Sequence, residues 1–253
     1  MRANRTLAKL RRDQVAIGPV MGIASPDLAE LTARVGFDFE FLDWQHGEWT
    51  EATLNSALAR FLSADCDPLV RVKGHEPGTI NRVLDMGASG VIVPMVETPE
   101  QAALAASAVR YPPRGQRSGG GNRIGLYDEA GAWGYFERAN DAVALIVMVE
   151  SAAAVERAGE IAAVPGVDVV LVGPGDLLLE VRSRGGSEAD VERLVARLPE
   201  AVRGAGKAAG YVCGTPEAAR QRIDQGYRFI TYQSDVGAVQ AAWRAAREQI
   251  QGW

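Results

Sequence analysis

The sequence predicts an α/β protein whose strands close into a (β/α)8 TIM-type barrel. Short apolar runs rich in Val, Ile, Phe and Leu alternate with longer Ala-rich segments of helical period, which is typical of repeated βα units. We count eight such pairs, the number that closes this barrel, and the 253 residues match its usual length. We therefore expect one domain over residues 1–253, with a doubly wound open sheet as the alternative.

The predicted strands are almost continuously hydrophobic, as expected of a parallel sheet that is covered on both faces. They are Val15–Val20, Phe39–Asp43, Leu69–Val72, Gly90–Val93, Val143–Val149, Asp168–Val172, Lys207–Val212 and Arg228–Thr231. A helix is predicted to follow each strand. These helices are Ser25–Val35, Glu51–Ser63, Gly78–Met86, Pro99–Val109, Ala152–Ala163, Glu188–Ala205, Pro216–Gln225 and Val236–Gln249.

Capping signals mark several of the predicted helix ends. A hydroxyl side chain suited to an N-cap stands directly before a proline at Ser25, Thr98 and Thr215. Glycines, which favour the left-handed conformation just beyond a helix, follow three of the helices at Gly36, Gly87 and Gly226. Because these signals agree with the apolar periodicity, they support the assigned βα units.

Two segments lie outside the simple repeat. The basic first dozen residues contain Leu7 and Leu10 and predict a short amphipathic helix, since they lack the apolar core of a signal peptide. Residues 110–140, rich in Gly, Arg and aromatic side chains, precede the fifth strand, and such an insertion is typical of a functional loop or an interface. Three of its arginines would stabilise an interface or recognise an acidic substrate tail: Arg114, Arg117 and Arg123.

Composition narrows the class of ligand. With 47% hydrophobic and 23% charged residues the chain resembles an ordinary globular enzyme. Its net charge of -5 argues against nucleic acid, and the longest uncharged run, 14–26, is too short to cross a bilayer. The two distant cysteines, Cys66 and Cys213, suggest a reducing cytoplasm. We therefore expect a small-molecule ligand.

Chemically capable side chains follow several of the buried strands. In a barrel of this class the βα loops converge at the carboxyl ends of the strands, where chemistry is expected. Asp43 and His46 follow the second strand, Arg71 ends the third, Glu150 follows the fifth and Asp176 the sixth. An acidic residue there is often only a helix cap, but two carboxylates in one mouth are a common way to hold Mg²⁺ or Mn²⁺.

The candidate base and the candidate cation each have a structural alternative. His46 is either a structural side chain or a general base whose ring Asp43, three residues earlier, would orient. Arg71 would form a salt bridge at the rim or stabilise a carboxylate or developing oxyanion. The second histidine, His75, is interpreted as a structural residue at the start of a helix.

Glycines after the sixth strand predict a site for an anion. In the run 173–177 (GPGDL), Gly173 and Gly175 allow close approach to the backbone, with the amides of Gly175 and Asp176 as donors. The run lacks the third glycine of a dinucleotide fingerprint, and the sequence has no Walker loop. No nucleotide is therefore inferred.

Taken together, the motifs resemble the metal-dependent class II pyruvate aldolases of the HpcH/HpaI type over nearly the whole chain. They are Asp43-x-x-His46-Gly47, Arg71, the run from Val83 to Pro94, the run from Arg110 to Gly115, Glu150 and Gly173-Pro174-x-Asp176-Leu177. The resemblance implies a TIM-type barrel that assembles as a trimer or hexamer, often with its last helix exchanged between subunits. It also implies Mg²⁺, Mn²⁺ or Co²⁺ as cofactor and cleavage or formation of 4-hydroxy-2-oxo acids from pyruvate and an aldehyde.

The resemblance assigns roles to individual residues. Glu150 and Asp176 match metal ligands, His46 matches the general base and Arg71 matches the residue that stabilises the enolate. Asp85 matches an acid that supports the histidine across a subunit interface. The amides of Gly175 and Asp176 match the positions that hold the pyruvate carboxylate.

Three departures from the family pattern bear on the substrate. Gln45 stands where many members have Glu, Met148 where some have a substrate-contacting Gln, and Gly175 where Ala is commoner. The alternatives are oxaloacetate decarboxylation with condensation, citrate-lyase-like acyl cleavage on the same metal site, and a non-catalytic binding barrel. A Schiff-base route is less favoured, because neither Lys73 nor Lys207 has neighbours that would desolvate it.

Overall fold

Eight parallel strands form a closed barrel in the order of the sequence. The computed structural model describes residues 3–121 and 123–251. The strands are β1 (Ala16–Met21), β2 (Phe39–Asp43), β3 (Asp67–Arg71), β4 (Gly90–Val93), β5 (Ala144–Val149), β6 (Val169–Val172), β7 (Ala208–Cys213) and β8 (Phe229–Ser234). Because β8 pairs with β1, the open-sheet alternative is excluded and the predicted barrel is confirmed.

Helices surround the barrel, and those between β1 and β8 connect successive strands. They are α1 (Arg5–Leu10), α2 (Pro26–Ala33), α3 (Glu51–Arg60), α4 (Pro77–Asp85), α5 (Pro99–Val109), α6 (Gly131–Ala142), α7 (Ala152–Glu156), α8 (Ala158–Ala162), α9 (Pro174–Ser183), α10 (Glu188–Val195), α11 (Leu198–Gly204), α12 (Pro216–Asp224) and α13 (Asp235–Gln251). Short 3-10 turns occur at Phe61–Ser63 and Ile124–Tyr127. No helix in the described part of the chain is long and apolar enough to span a membrane.

The predicted caps are present. Ser25, Thr98 and Thr215 each accept a hydrogen bond from an amide in the first turn of the helix that follows. Gly36, Gly87 and Gly226 adopt φ values of 106°, 104° and 101°, the left-handed conformation that glycine favours.

Four helix predictions need correction. The segments predicted as 152–163 and 188–205 are each two helices, α7 and α8, and α10 and α11. Pro199 stands in the first turn of α11 and cannot continue α10, since it lacks an amide hydrogen. Two helices were missed: α6, inside the segment expected to be a loop, and α9, whose Pro174 occupies the first turn directly after glycine.

Alternation along the strands decides which side chains reach the mouth. Phe39 and Phe41 point into the barrel, where Phe39 stacks on Phe229 at 4.3 Å between ring centroids. With a period of two, Asp43 at the end of β2 continues this inward row. β2 pairs with β3 so that Asp43 lies beside Arg71, and both therefore enter the carboxyl-terminal mouth.

The two terminal helices differ in their packing. α1 lies at the amino-terminal end of the barrel, where Leu7 packs against the apolar residues of the interior. α13 is anchored at its first residue, because the carboxylate of Asp235 accepts hydrogen bonds from the amides of Gly22 and Ile23. The rest of α13 is largely exposed, including Trp243 with 72% of its surface accessible.

Candidate active site

Asp43 and Arg71 form a bidentate ion pair at the mouth of the barrel. Nε of Arg71 donates to Oδ1 of Asp43 at 2.9 Å and Nη2 donates to Oδ2 at 2.7 Å. Burial alone would raise the pKa of Asp43, but the Arg71 guanidinium holds that pKa below its usual value. The carboxylate therefore stays charged and fixes the guanidinium in one orientation.

The same carboxylate anchors the loop that carries His46. Oδ1 of Asp43 accepts the amides of Gln45 at 3.1 Å and His46 at 3.2 Å. Its hydrogen bonds among the described residues thus go to Arg71 and to backbone amides, and the expected bond to the His46 ring is not one of them. His46 itself is exposed at the mouth. The Asp43 carboxylate consequently joins the backbone of the His46 loop to the side chain of Arg71.

Glu150 is held over Gly173 by a backbone amide. Its Oε2 accepts a hydrogen bond at 2.7 Å from the amide of Met95, just beyond β4, where φ is 51°. A β-carbon at Gly173 would lie 2.7 Å from both Cγ and Oε1 of Glu150. Glycine at 173 is therefore needed for Glu150 to occupy this position.

Glu150 and Asp176 lie close enough for their charges to interact, and their role as metal ligands stays a prediction. Burial, reinforced by the negative charge of Asp176, raises the pKa of Glu150 to about 7. No cluster of three or more His, Cys, Asp or Glu side chains suited to a metal occurs in residues 3–121 and 123–251. The oxygen donors are this pair, which fits Mg²⁺ or Mn²⁺, because such ions retain several water or substrate ligands.

The start of α9 supplies backbone donors next to this pair. Gly173 is the N-cap, Pro174 has no amide hydrogen, and Gly175 and Asp176 follow in the first turn. Amides in the first turn of a helix have no partner within the helix, and the helix dipole favours an anion there. The predicted amide site of Gly175 and Asp176 therefore lies at a helix N-terminus.

Met148 contacts the guanidinium of Arg71. Its Sδ lies 3.7 Å from Nη1, and the guanidinium also lies over the Phe41 ring, 5.2 Å from its centroid. Phe41 and the amide of Met95 are parts of the site that the sequence did not predict. Phe41 could have been found from its position two residues before Asp43, whereas no side-chain pattern points to a backbone amide.

Asp85 is not brought to the mouth within one chain. α4 starts beyond the carboxyl end of β3 and runs back along the barrel, so its last residue, Asp85, lies near the amino-terminal end of the strands. There Nη2 of Arg117 donates to Asp85 at 3.1 Å. Supply of Asp85 to a neighbouring subunit therefore stays a prediction.

The arginines of the 110–140 segment have contacts inside the chain. Arg117 is fully buried between the rings of Tyr111 and Tyr135, so the expectation that it serves an interface or a substrate tail is wrong. Arg123 donates to two backbone carbonyls, those of Asn55 and Met86. Arg114 pairs with Asp141 and remains half exposed.

The remaining candidates have other surroundings. Nε2 of His75 lies 2.6 Å from the carbonyl oxygen of Pro94, a contact that accords with its structural interpretation. The Lys73 ammonium lies 4.7 Å from the centroid of the Trp44 ring. Lys207 precedes β7 and is therefore at the amino-terminal end, away from the mouth.

A (β/α)8 barrel with these groups at its carboxyl-terminal mouth defines an enzyme of the TIM-barrel class. The family model described as HpcH/HpaI aldolase/citrate lyase matches residues 21–242, and the chain belongs to that family of carbon–carbon lyases. It is 38% identical to a 4-hydroxy-2-oxovalerate aldolase of Novosphingobium aromaticivorans over 90% of this chain and 87% of that protein.

Two further relatives agree with this assignment. A hydroxypyruvate/pyruvate aldolase of Delftia acidovorans is 36% identical, over 95% of this chain and 90% of that protein. The crystal structure of a HpcH/HpaI aldolase/citrate lyase family protein from Burkholderia cenocepacia superposes with a TM-score of 0.88 at 35% identity, covering 98% of this chain and 99% of the other.

Proposed function

We propose that the protein is a divalent-metal-dependent aldolase that cleaves or forms 4-hydroxy-2-oxo acids through a pyruvate enolate. The observation that carries the proposal is the position of Arg71. Asp43 fixes the Arg71 guanidinium by two hydrogen bonds, and the positive charge of Arg71 acts on Glu150, where it opposes the rise in pKa that burial of this carboxyl causes. A fixed cation thus faces the carboxylate pair, as the stabilisation of an enolate requires.

Glu150 and Asp176 would hold a metal ion, which we propose to be Mg²⁺, Mn²⁺ or Co²⁺. When bound, such an ion polarises the 2-oxo group and stabilises negative charge on its oxygen. The chain itself supplies the binding of the substrate carboxylate, through the amides of Gly175 and Asp176 at the start of α9. Arg71 then donates hydrogen bonds to the substrate oxygen that becomes negative, an effect worth about 3–4 kcal/mol for one such donor.

His46 is the proposed general base. In the simplest reaction of pyruvate, its imidazole accepts a proton from the methyl carbon and returns a solvent proton to that carbon. A base in this position contributes about 10²–10⁴ in rate. In cleavage of a 4-hydroxy-2-oxo acid the same imidazole accepts the proton of the 4-hydroxyl group, and the aldehyde leaves as the carbon–carbon bond breaks.

Exchange of the pyruvate methyl protons into D₂O tests the proposal. We expect exchange with Mg²⁺, Mn²⁺ or Co²⁺ and its loss on removal of the metal. His46→Gln should lower the rate by about 10² or more, because the base is removed. His75→Gln is the matched control at the other histidine. Folded protein that binds Mn²⁺ without catalysing exchange would instead support a non-catalytic binding barrel.

A second candidate function is decarboxylation of oxaloacetate, coupled to a condensation, or a citrate-lyase-like acyl cleavage. Its support is the description of the family, which includes citrate lyase, together with Met148 beside Arg71, where some family members have glutamine. Product analysis with oxaloacetate, and with oxaloacetate plus candidate acceptors, separates this function from aldol cleavage. Pyruvate and an aldehyde as the products of a 4-hydroxy-2-oxo acid would favour the aldolase.

We further propose a homo-oligomer, a trimer or hexamer, in which α13 packs on a neighbouring subunit. Support comes from the apolar side chains that α13 exposes, among them Trp243 and Ile250 with 72% and 74% of their surfaces accessible. A cleft with a mostly apolar lining, formed by β1, α2, β8, the connection from α2 to β2 and the first turns of α13, lies at the start of this helix. We also propose that the protein is cytoplasmic, because both of its buried cysteines are free thiols.

A further inference from the structure

A cleft of about 510 Å³ lies at the amino-terminal end of the barrel, opposite the proposed active site. It is bounded by the end of α1, by the segments that lead into β6, β7 and β8, and by the end of α11. This volume is in the range of small-molecule sites. The mouth residues Arg71, Glu150 and Asp176 do not line it, so it is a separate cavity.

The charge of this cleft is unbalanced. Six basic and three acidic side chains line it, and each acid is already paired: Asp13 with Arg228, Asp141 with Arg114 and Asp168 with Arg110. The other basic residues are Arg11, Arg203 and Lys207, and no carboxylate among the described residues forms a salt bridge with any of them. Several like charges around a concave surface produce a positive potential that concentrates anions.

Arg110, in the wall of the cleft, has an unpartnered donor although its charge is paired with Asp168. Its side chain is 4% exposed, and Nη1 and Nη2 donate to the Val143 and Gly166 carbonyls and to Asp168. Its Nε is buried without a hydrogen-bond partner. Burial lowers the pKa of Arg110, and the neighbouring charge of Arg114 acts in the same direction. A buried guanidinium hydrogen without an acceptor is costly, and the negative charge of an anion in the cleft would favour the charged form of Arg110.

We propose that this cleft binds a small organic polyanion that carries at least two phosphate or carboxylate groups. Arg203 and Lys207 flank the short turn between α11 and β7, so their charges lie on one side of the cleft. Arg11 lies beyond α1 and Arg110 beyond α5, which places positive charge on other sides. Leu7, Leu10 and Ala208 contribute apolar surface, and a ligand with an organic body would contact them.

Equilibrium binding of pyrophosphate and of citrate to metal-free protein at low ionic strength tests this proposal. We expect saturable binding of one ion per chain by calorimetry, weakening as salt is added because the contacts are ionic. Arg203→Ala and Lys207→Ala should each weaken binding about tenfold, since each removes a charged hydrogen-bond donor. Tighter binding of pyrophosphate identifies phosphate as the preferred group, and tighter binding of citrate identifies carboxylate.

Two controls test whether anion binding depends on the cleft and not on the overall charge of the protein or on the active site. Arg220→Ala removes one positive charge from an exposed position on α12 that does not line the cleft, and it should leave binding unchanged. Arg71→Gln removes the positive charge of the mouth and should also leave binding unchanged. Absence of saturable binding for both ions, or an equal loss in Arg220→Ala and Arg203→Ala, would overturn the proposal. Since none of these measurements uses turnover, their outcome is independent of the proposed reaction.

Discussion

Gly173 gives Glu150 the space in which its carboxylate meets Asp176. A methyl group at position 173 would lie 2.7 Å from Cγ and Oε1 of Glu150, and 3.1 Å from Cδ. Non-bonded carbon and oxygen atoms do not approach so closely, so the side chain would have to leave the amide of Met95. The carboxylate pair therefore depends on a residue that has no side chain.

Gly173→Ala is expected to weaken Mn²⁺ binding about 10- to 100-fold, the usual loss when the support of a metal ligand is disturbed. The physical reason is displacement of the Glu150 carboxylate, while both carboxylates remain in the chain. Titration with Mn²⁺ followed by electron paramagnetic resonance measures the change. Pyruvate proton exchange should fall in parallel at subsaturating metal.

Gly175→Ala is the matched control for that substitution. A β-carbon at 175 meets no atom within 4 Å, and the backbone amide is retained. Mn²⁺ affinity should therefore stay within about twofold of that of the unsubstituted protein. Equal affinities in Gly173→Ala and Gly175→Ala would show that Glu150 does not bind the ion in the position described.

Asp43→Asn is expected to lower the rate of pyruvate proton exchange by about 10²–10³, because a neutral amide cannot hold both nitrogens of Arg71 in place. Loss of the charged partner at this buried pair should also lower the free energy of unfolding by about 2 kcal/mol. Exchange rates and urea unfolding measure the two effects.

The exposed pair of Glu51 and Arg82 provides a comparison for the Asp43 substitution. About half of each side chain in that pair is accessible, and Glu51→Gln should change the free energy of unfolding by less than about 1 kcal/mol, with no effect on exchange. An exchange rate for Asp43→Asn equal to that for Glu51→Gln would show that catalysis does not depend on the positioning of Arg71 by Asp43.

The fold could be predicted because its signals are local. Apolar runs of strand length gave β2 and β4 with the observed ends, and capping residues such as Ser25 and Gly36 stand where the pattern placed them. α9 was missed because a glycine and a proline at its start resemble a turn, although proline is well suited to the first turn of a helix. Local patterns cannot distinguish these two cases.

The sequence predicted those parts of the site that directly follow the carboxyl ends of strands. Glu150 and Asp176 interact electrostatically at the mouth, and the register of β2 and β3 brings Asp43 beside Arg71. The sequence alone suggested His46 as the partner of Asp43, because the two are three residues apart. Arg71, 28 residues away, contacts that carboxylate instead, and such a choice depends on strand pairing in three dimensions.

Trp243→Glu is expected to lower the oligomeric state measured by light scattering after size-exclusion chromatography. Burial of an aromatic side chain of this size contributes several kcal/mol to an interface, and a carboxylate at the same position would have to be desolvated. Leu104→Glu is the control, since Leu104 is 65% exposed on α5, away from α13. An unchanged mass for Trp243→Glu would contradict packing of α13 on a neighbouring subunit.

Glu40 makes stability depend on pH in a way that a single substitution should remove. The side chain is fully buried on β2, neither carboxylate oxygen has a hydrogen-bond partner, and burial, with a further effect of the charge on Asp235, raises its pKa to about 9. Between pH 4.5, the ordinary pKa of a glutamate in the unfolded state, and pH 9, the folded state holds a proton that the unfolded state has lost. The contribution of Glu40 to the free energy of unfolding is therefore fully present below pH 4.5 and is lost progressively as pH rises towards 9.

Glu40→Gln replaces the carboxyl by a neutral group of similar shape, so its stability should exceed that of the unsubstituted protein by a margin that grows with pH. The margin should increase by at most about 1.4 kcal/mol per pH unit between pH 5 and 8. Urea unfolding at several pH values and one fixed protein concentration measures it, since association would otherwise shift the midpoint. Glu137→Gln, at an exposed position on α6, is the control and should give no such trend. Parallel pH profiles for Glu40→Gln and the unsubstituted protein would mean that Glu40 is not protonated in the folded state, because only the proton held there makes the two diverge.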